Sequence, residues 1–303
     1  YLQMKTWSPN LRYDAAHHLM VPLHFAYENN NTELKQLFDE HMQEFAKLGL
    51  SDTSIRQQFL STIQYQFMLS RYLVLSNNKQ SEIASYLLQQ LNLAWNDPKF
   101  NLKKSLAWKL QASRNLGYKQ AITDPEWYVF AIASDLSHFY PNNSLIQDIQ
   151  RTANLAFRQR TSYSNTGGWE FDLGSWDNHP DMQYIGYNSL SSISVPKPIK
   201  GSSLDSSHFF RMPLILKSLQ EGAINVSDAE SYEKMRLGLE KQFFEKVLVQ
   251  NGTGIKLNNF MDGRNGVYRW GYHGDGKGIA PYGLTNSFGI GWWGFLPGKR
   301  IKA

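Results

Sequence analysis

The chain of 303 residues contains no cysteine, which excludes disulfide bonds, thiolate nucleophiles and thiolate metal sites. No segment approaches the roughly 18 consecutive apolar residues that suggest a membrane-spanning helix. No run of like charge stands out either, although 31 Lys and Arg against 26 Asp and Glu give a formal net charge of +5. The sequence therefore predicts a mildly basic surface that attracts acidic polymers, with no nucleic-acid-binding arm and no membrane span.

Familiar catalytic signatures are missing as well. The sequence has no HExxH helix, P-loop, GxSxG elbow or dinucleotide-binding glycine pattern, which argues against metalloproteases, NTPases, serine hydrolases and dehydrogenases. We therefore expect neither a cofactor nor a resident metal ion. The first residue is Tyr1, no signal-peptide pattern precedes it, and cysteine is absent, so we expect a processed or trimmed bacterial chain that works in the periplasm or is secreted.

Aromatic residues, in contrast, are abundant. They make up 14 % of the chain and include 9 Trp and 16 Tyr. Many lie in two polar, glycine-containing stretches, 163–187 and 260–295. Aromatic faces that are exposed around a cleft stack on sugar rings or bases, whereas the same rings when buried belong to the core. These two stretches are the first places to look for a ligand-binding site.

Apolar residues at helical spacing recur along the whole chain. They predict paired helices around 19–27 and 34–45, 53–75 and 79–95, 124–140 and 143–160, and 206–221 and 228–249, with a last Gly-rich helix at 283–296. The turn before the second helix ends in Thr32, which we expect to cap that helix. No alternating strand pattern exceeds a few residues. The predicted fold class is all-α, with one domain over residues 1–303 built from antiparallel helical hairpins.

The string D-x-x-H-x-x-x-x-P-L occurs twice, beginning at Asp14 and at Asp205. It predicts a repeated hairpin in which each Asp begins a helix and a His, His17 or His208, follows three residues later on the same face. Hairpins repeated in this way close into a ring or solenoid. The two pairs either bind a ligand or act structurally, the Asp capping its helix and the His packing beside it; both interpretations are open.

The segment 167–181 gathers four carboxylates, one histidine and two tryptophans. Such a mixture is difficult to bury, so this segment is the best candidate active site. In a glycosidase, one carboxyl group protonates the leaving oxygen while a second activates water or attacks the anomeric carbon. Asp177 with Asp205, or Glu170 with either of them, would form that pair. A calcium loop on the aspartates of the segment is the alternative, but their spacing fits no EF-hand.

A β-eliminating lyase would use neighbouring residues differently. A base removes the proton beside a uronate carboxyl group, whose charge is neutralised by polar or cationic groups. His179, His208 and Tyr184 are the candidate proton-transfer groups, and Arg211 is the candidate neutralising group. Both chemistries are open from the sequence.

Residues 258–282 alternate aromatic and charged side chains with many glycines, which let a backbone approach a ligand closely. A surface loop whose rings pack back onto the helices is the alternative interpretation. The candidate substrate-binding residues are Trp169, Trp176, Tyr187, Arg211, Arg269, Trp270, Tyr272 and His273, together with Asp14 and His17.

The chain resembles the (α/α)-toroid carbohydrate-active enzymes, a group that includes glycoside hydrolases and polysaccharide lyases. The resemblance covers most of the chain as a pattern of helical hairpins, and its specific motifs are Trp-Asp-Asn-His-Pro-Asp at 176–181 and Asp-x-x-His at 205–208. These motifs match the group rather than one named family. The resemblance implies acid, base and stacking residues at one mouth of a ring. Only about ten helices are readable where six hairpins have twelve, so we expect a toroid or an incomplete toroid.

We expect an enzyme that cleaves glycosidic bonds of a polysaccharide, and the positive net charge with Arg211 indicates an anionic one. Hydrolysis is slightly favoured over elimination because carboxylates outnumber candidate bases in segment 167–181. A helical scaffold or a glycan-binding module without chemistry is the hypothesis from another class of protein. No nucleic acid is expected as a partner.

Overall fold

A computed structural model describes residues 2, 8–48, 59–78, 82–111, 114–251, 254–272, 276–287 and 289–298. Within this part of the chain the α-helices are α1 (Pro9–Glu28), α2 (Thr32–Leu48), α3 (Phe59–Ser76), α4 (Glu82–Asn96), α5 (Leu102–Gln111), α6 (Asp124–Ser137), α7 (Ser144–Arg160), α8 (Ser206–Phe209), α9 (Met212–Glu221) and α10 (Val226–Gln242). Strands β1 (Thr161–Tyr163) and β2 (Trp169–Phe171) form one antiparallel pair, and β3 (Leu248–Asn251) and β4 (Gly254–Leu257) form another. The predicted all-α class is confirmed.

The chain divides into two compact units. Unit 1 comprises Tyr1–Leu106, Thr123–Asn154 and Ile215–Glu230, and unit 2 comprises Ala107–Ile122, Leu155–Leu214 and Ser231–Ala303. The single domain and the toroidal closure of the hairpins stay predictions. Among the described helices, none is both long and apolar enough to cross a bilayer.

Unit 1 is built around α3. This helix packs against α1, α4 and α6, and its residues 62–73 are buried on every side, which explains why its sequence is apolar with little helical periodicity. The predicted hairpin of α1 and α2 is confirmed, but its cap differs from the expectation. The Asn31 side chain accepts a hydrogen bond from the Leu34 backbone N–H at 3.0 Å, so Asn31 caps α2 and Thr32 is its first residue.

Charged groups are buried in unit 1 around Arg71. Its Nη1 donates to Asp135 Oδ1 at 2.7 Å and to Ser218 Oγ and Glu221 Oε2 at 3.0 Å. Arg71 is 1 % exposed and Asp135 is fully buried. Burial alone would lower the pKa of Arg71, but the charges of Asp135 and Glu221 raise it, so the guanidinium stays charged inside the unit. An ion pair this deep is costly to break, although it adds little stability by itself.

His24 lies beside this ion pair and is 2 % exposed. Its Nδ1 is 3.2 Å from Glu28 Oε1, and the Arg71 Nε–H donates to its Nε2 at 3.4 Å. A neutral imidazole with its proton on Nδ1 satisfies both contacts. Burial lowers the pKa of His24 to about 4, and the nearby charges of Arg71 and Lys217 act in the same direction against the hydrogen bond to Glu28.

This environment predicts acid sensitivity. The unfolded His24, with a pKa of about 6.5, binds more protons than the folded one between about pH 6.5 and pH 4. The free energy of unfolding should therefore fall by about 3 kcal/mol as the pH drops through that window. Urea titrations of the wild type and His24→Gln at several pH values measure the difference. The variant should be less stable at pH 7 but lose less stability between pH 6.5 and pH 4, and parallel pH profiles would contradict the prediction.

Unit 2 has an aromatic core around the β1–β2 hairpin. Trp169 is fully buried, with its ring centroid 5.9 Å from that of Phe209 and 6.4 Å from that of Phe157, and its Nε1–H donates to Thr161. Next to the hairpin, Arg160 Nη1 donates to the buried Asp172 at 3.0 Å. A second cluster holds the polar loops together and contains Met182, Ile185, Phe260, Tyr268 and Leu284, with Trp176, Ile199 and Ile279 packed against it.

Three predicted helices differ from the structure. The helix expected at 206–221 is interrupted after α8, because Pro213 has no N–H to donate to the carbonyl four residues back. The helix expected at 228–249 ends at Gln242 in a π-turn and continues as β3. The Gly-rich segment 283–296 forms two short 3₁₀ turns, Gly283–Asn286 and Ile290–Phe295, rather than an α-helix.

The predicted repeat of Asp14–His17 and Asp205–His208 is wrong as a structural repeat. α1 begins at Pro9, so Asp14 lies in the interior of a continuous helix with an exposed side chain and caps nothing. Asp205, in contrast, is the N-cap of α8. Asp14 and His17 belong to unit 1 and Asp205 and His208 to unit 2. Equal spacing in sequence therefore gives two different environments.

Candidate functional site

The site is centred on Asp205, which is 2 % exposed. As the N-cap of α8, its Oδ1 accepts hydrogen bonds from the backbone N–H groups of Ser207 and His208, both at 3.0 Å, and from Ser207 Oγ at 2.5 Å. Its Oδ2 accepts the hydroxyl of Tyr268 at 2.9 Å. The cap fixes the carboxylate in one orientation, as expected where the first N–H groups of a helix have no intrahelical acceptor.

His208 is the partner of this carboxylate. Its Nδ1 is 2.9 Å from Asp205 Oδ1 and 2.8 Å from Oδ2, which places the imidazole proton on Nδ1. The opposite nitrogen, Nε2, lies 3.4 Å from Nη2 of Arg269. The side chain of His208 is 27 % exposed, so a buried carboxylate orients a partly exposed imidazole. This arrangement is the one that makes histidine a general base.

Tyr268 and Arg269 reach the site from a second loop. The Tyr268 backbone forms both hydrogen bonds of a β-bridge with Ile279, at 3.0 and 2.8 Å, so the buried phenol is held against Asp205. Arg269 has a left-handed backbone with a φ of 56°, and its Nε donates to Asp181 Oδ2 at 2.8 Å. Its guanidinium carbon also lies 5.1 Å from the ring centroid of Tyr268. The loop thus brings one hydroxyl to Asp205 and one cation to His208.

Asp181 and His179 form the third side of the site. The backbone N–H of Asp181 donates to His179 Nδ1 at 3.1 Å, while the backbone carbonyl of Asp181 accepts from Arg269 at 3.2 Å. The His179 ring lies between two aromatic rings, with centroids 4.6 Å from Tyr118 and 5.0 Å from Trp176. Since its Nδ1 already accepts a hydrogen bond, His179 is held as a neutral ring at the wall of the site.

Burial and neighbouring charges shift the pKa values of these groups in different directions. Burial by itself would raise the pKa of Asp205, but the charge of His208 and hydrogen bonds from His208, Ser207 and Tyr268 hold it well below its usual range. Burial raises the pKa of the Tyr268 hydroxyl well above its usual value, and the Asp205 charge adds to the shift. Burial lowers the pKa of His179, and the charge of Arg269 acts the same way against Asp181. Asp205 is therefore a fixed anion and Tyr268 a fixed hydrogen-bond donor.

The other predicted carboxylates have different surroundings. Asp177 accepts hydrogen bonds from the Gly201 N–H at 2.7 Å, the Ser202 N–H at 2.9 Å and Ser202 Oγ at 2.7 Å, so it closes a loop. Glu170 on β2 is half-buried, and burial followed by the charge of Asp262 raises its pKa. Neither residue has a described hydrogen bond to the Asp205–His208 pair.

The predicted binding residues separate into two groups. Trp169 and Arg211 are 0 % and 1 % exposed, and Arg211 donates to the His208 carbonyl at 3.1 Å and lies over the Phe210 ring, so both side chains are buried rather than open to a ligand. His17 is buried as well, beside Tyr13 and Gln64. Accessible rings lie around the site: Tyr184 contacts Trp270 and Tyr187, and the half-exposed Tyr272 stacks on the Arg269 guanidinium at 4.7 Å. His273 lies outside the described residues.

The hydroxyl of Tyr268 and the carboxylate of Asp181 are part of the site, although sequence reasoning gave neither a role in it. The sequence indicates Tyr268 only through its position next to Arg269 in the aromatic and glycine-rich stretch 258–282. Its contact with Asp205 joins residues 63 positions apart, which no local pattern contains. In the part of the chain that the structure describes, no three His, Asp or Glu side chains are grouped to hold a metal ion. Asp172, the first aspartate available to a calcium loop in segment 167–181, is instead the buried partner of Arg160.

Fold and site together define an all-α protein whose unit 2 carries a buried Asp–His pair flanked by tyrosine and arginine. Comparisons of the chain with protein-family models, with curated proteins and with solved structures found no match.

Proposed function

We propose that the chain is a carbohydrate-active enzyme that cleaves glycosidic bonds of an acidic polysaccharide by β-elimination, with His208 as the base. The observation that supports this proposal is the orientation of His208. Its Nδ1 faces the buried Asp205 at 2.8 Å, its Nε2 lies 3.4 Å from Nη2 of the Arg269 cation, and the side chain is 27 % exposed. A base next to a cation is what proton removal beside a carboxylate requires.

The reaction assigns a separate task to each residue. His208 Nε2 takes the proton from the carbon next to the uronate carboxyl group, whose developing negative charge Arg269 stabilises. The electron pair of the broken C–H bond forms a C=C bond as the C–O bond to the leaving sugar breaks, and the imidazolium returns its proton to the leaving oxygen. Asp205 stabilises the imidazolium, and Tyr268 keeps Asp205 oriented. Tyr272 and Trp270 offer rings for stacking on sugars.

Hydrolysis, which the sequence slightly favoured, has less support from the site. Asp177 and Asp205, the first candidate pair, both already accept hydrogen bonds from backbone and side-chain donors. Glu170 keeps hydrolysis as a second candidate, because a half-buried carboxyl group with a raised pKa suits a general acid and Asp262 is close enough to contribute to that shift.

Digestion of acidic polysaccharides separates these functions. The purified chain is incubated with polygalacturonate, alginate and chondroitin sulfate, and both reducing ends and ultraviolet absorbance are followed. Elimination creates an unsaturated uronate, so absorbance should rise together with reducing ends. Reducing ends without absorbance would replace elimination by hydrolysis. No products from any of the three polymers would contradict catalysis on acidic glycans and favour a binding or scaffold protein.

A further inference from the structure

Unit 2 contains a cavity of about 580 Å³, within the size range of small-molecule sites. Its polar lining consists of Tyr187, Asn188, Ser192, Lys197, Arg264 and Asn265. The lining includes two cations and no acidic residue. Tyr187, whose ring contacts Tyr184 near the Asp205–His208 site, lines the cavity, but Asp205, His208, Tyr268 and Arg269 do not, so the cavity is a separate feature of the same unit.

The backbone of Lys197 is held in place at this cavity, and its side chain is exposed. It lies between Pro196 and Pro198, its N–H donates to the Gln183 carbonyl at 2.7 Å, and its own carbonyl accepts from Gly186 at 3.0 Å. The ammonium group lies 5.4 Å from the ring centroid of Tyr187. No carboxylate among the described residues pairs with it. An exposed cation on a fixed backbone at the wall of a cavity, with no carboxylate partner among the described residues, is suited to an anionic ligand.

The other walls are also fixed. The Tyr187 hydroxyl donates to the Val195 carbonyl at 2.9 Å and contacts Ser194 Oγ at 3.0 Å, which ties the loop across the cavity. Arg264 Nη1 donates to Asp262 Oδ2 at 3.0 Å and to the Gly201 carbonyl at 3.2 Å, so the guanidinium is oriented while its other N–H groups make no bond to a described residue. The cavity is therefore formed before a ligand arrives, which reduces the entropy that binding costs.

One chain segment connects the cavity with the Asp205–His208 site. Arg264 lines the cavity and Tyr268 and Arg269 lie in the site, while the Val267 N–H between them donates to the Tyr187 carbonyl at 2.9 Å. Four residues of extended chain span at most about 14 Å. A polymer bound at His208 is long enough to reach the cavity.

We propose that this cavity is a second subsite, which binds the carboxylate- or sulfate-bearing sugar of an acidic glycan through Lys197 and Arg264. The assignment rests on the proposed function for the class of ligand, but the binding itself needs no chemistry at His208. The subsite makes the protein prefer polymers in which a sugar other than the reacting one carries a negative charge.

Binding is measured by calorimetry in a His208→Gln background, so that substrate is not consumed. The probes are oligogalacturonate, a chondroitin sulfate oligosaccharide and a neutral cello-oligosaccharide. Lys197→Gln should raise the Kd for a charged oligosaccharide by about 10- to 100-fold, the usual cost of losing a hydrogen bond to a charged group. Lys200→Gln, which removes an exposed lysine outside the cavity lining, is the matched control and should leave the Kd unchanged. Oligogalacturonate carries carboxylates only, whereas the chondroitin sulfate oligosaccharide carries carboxylates and sulfates, so a Lys197-dependent affinity for the second probe alone would indicate sulfate recognition.

Failure of this subsite and failure of the proposed function give different results. Cleavage with a normal KM in Lys197→Gln would overturn the subsite and leave the enzyme intact. Charged oligosaccharides that bind through Lys197 without being cleaved by the wild type would keep the subsite and reject elimination. Equal affinity for neutral and charged probes, or no binding of either charged probe, would overturn the subsite.

Discussion

Replacing His208 with glutamine is expected to lower kcat on an acidic polysaccharide by about 100-fold or more, since positioned proton-transfer groups contribute about 10²- to 10⁴-fold to rates. Glutamine keeps a polar side chain beside Asp205 but has no basic nitrogen to accept a proton. The variant should therefore fold and keep its affinity for oligosaccharides. Absorbance of the unsaturated product measures kcat, and circular dichroism with thermal unfolding measures the fold.

His138→Gln is the matched control, because His138 ends α6 with an exposed side chain in unit 1. Its activity should equal that of the wild type. Asp205→Asn adds a second test, since an amide in place of the carboxylate no longer favours the proton on Nδ1 and should lower kcat as well. If His208→Gln keeps more than half of the wild-type kcat, His208 is not the base.

Replacing Asp135 with leucine is expected to lower the free energy of unfolding by about 3–5 kcal/mol, because it leaves the Arg71 guanidinium charged and buried without its main partner. Arg71 is 1 % exposed and its bond to Asp135 measures 2.7 Å. Glu221 remains within 3.0 Å of Arg71 but is 35 % exposed, so it compensates only in part. Urea unfolding at pH 7 measures the loss.

Two further variants test the cause of that loss. The double variant Arg71→Met with Asp135→Leu removes both charges and should be more stable than Asp135→Leu alone. Lys103→Ala breaks the solvent-exposed bond to Asp148 and should cost less than about 1 kcal/mol. If Asp135→Leu lowers the free energy of unfolding by no more than Lys103→Ala does, the loss of the Asp135 partner does not destabilise the buried Arg71 as predicted.

Local patterns predicted the helices of unit 1 well. The α1–α2 hairpin and α6 follow from apolar spacing and polar turns, which depend on neighbours within one or two helical turns, and so does α7, whose last residues belong to unit 2. The prediction was less successful at 160–204, where short strands and 3₁₀ turns are held by contacts from distant segments. Asp177, for example, is bonded to residues 24 and 25 positions away.

The site shows the same limit. The i, i+3 spacing at the start of a helix correctly brought Asp205 and His208 together, yet the same spacing failed at Asp14 because the helix there begins at Pro9. Aromatic content could not distinguish the buried Trp169 from the half-exposed Tyr272, since exposure depends on packing between segments. The roles of Tyr268 and Asp181 depend on the tertiary fold alone.

The left-handed backbone of Arg269 mechanically couples two buried carboxylates of unit 2. A branched or bulky residue avoids that conformation, which costs a non-glycine residue of order 1 kcal/mol or more. Here one peptide turn aims two consecutive side chains at two different anions, the phenol at Asp205 and the guanidinium at Asp181. A substitution that shifts this turn is therefore expected to displace the phenol and the guanidinium together, so that both carboxylates lose a hydrogen bond at once.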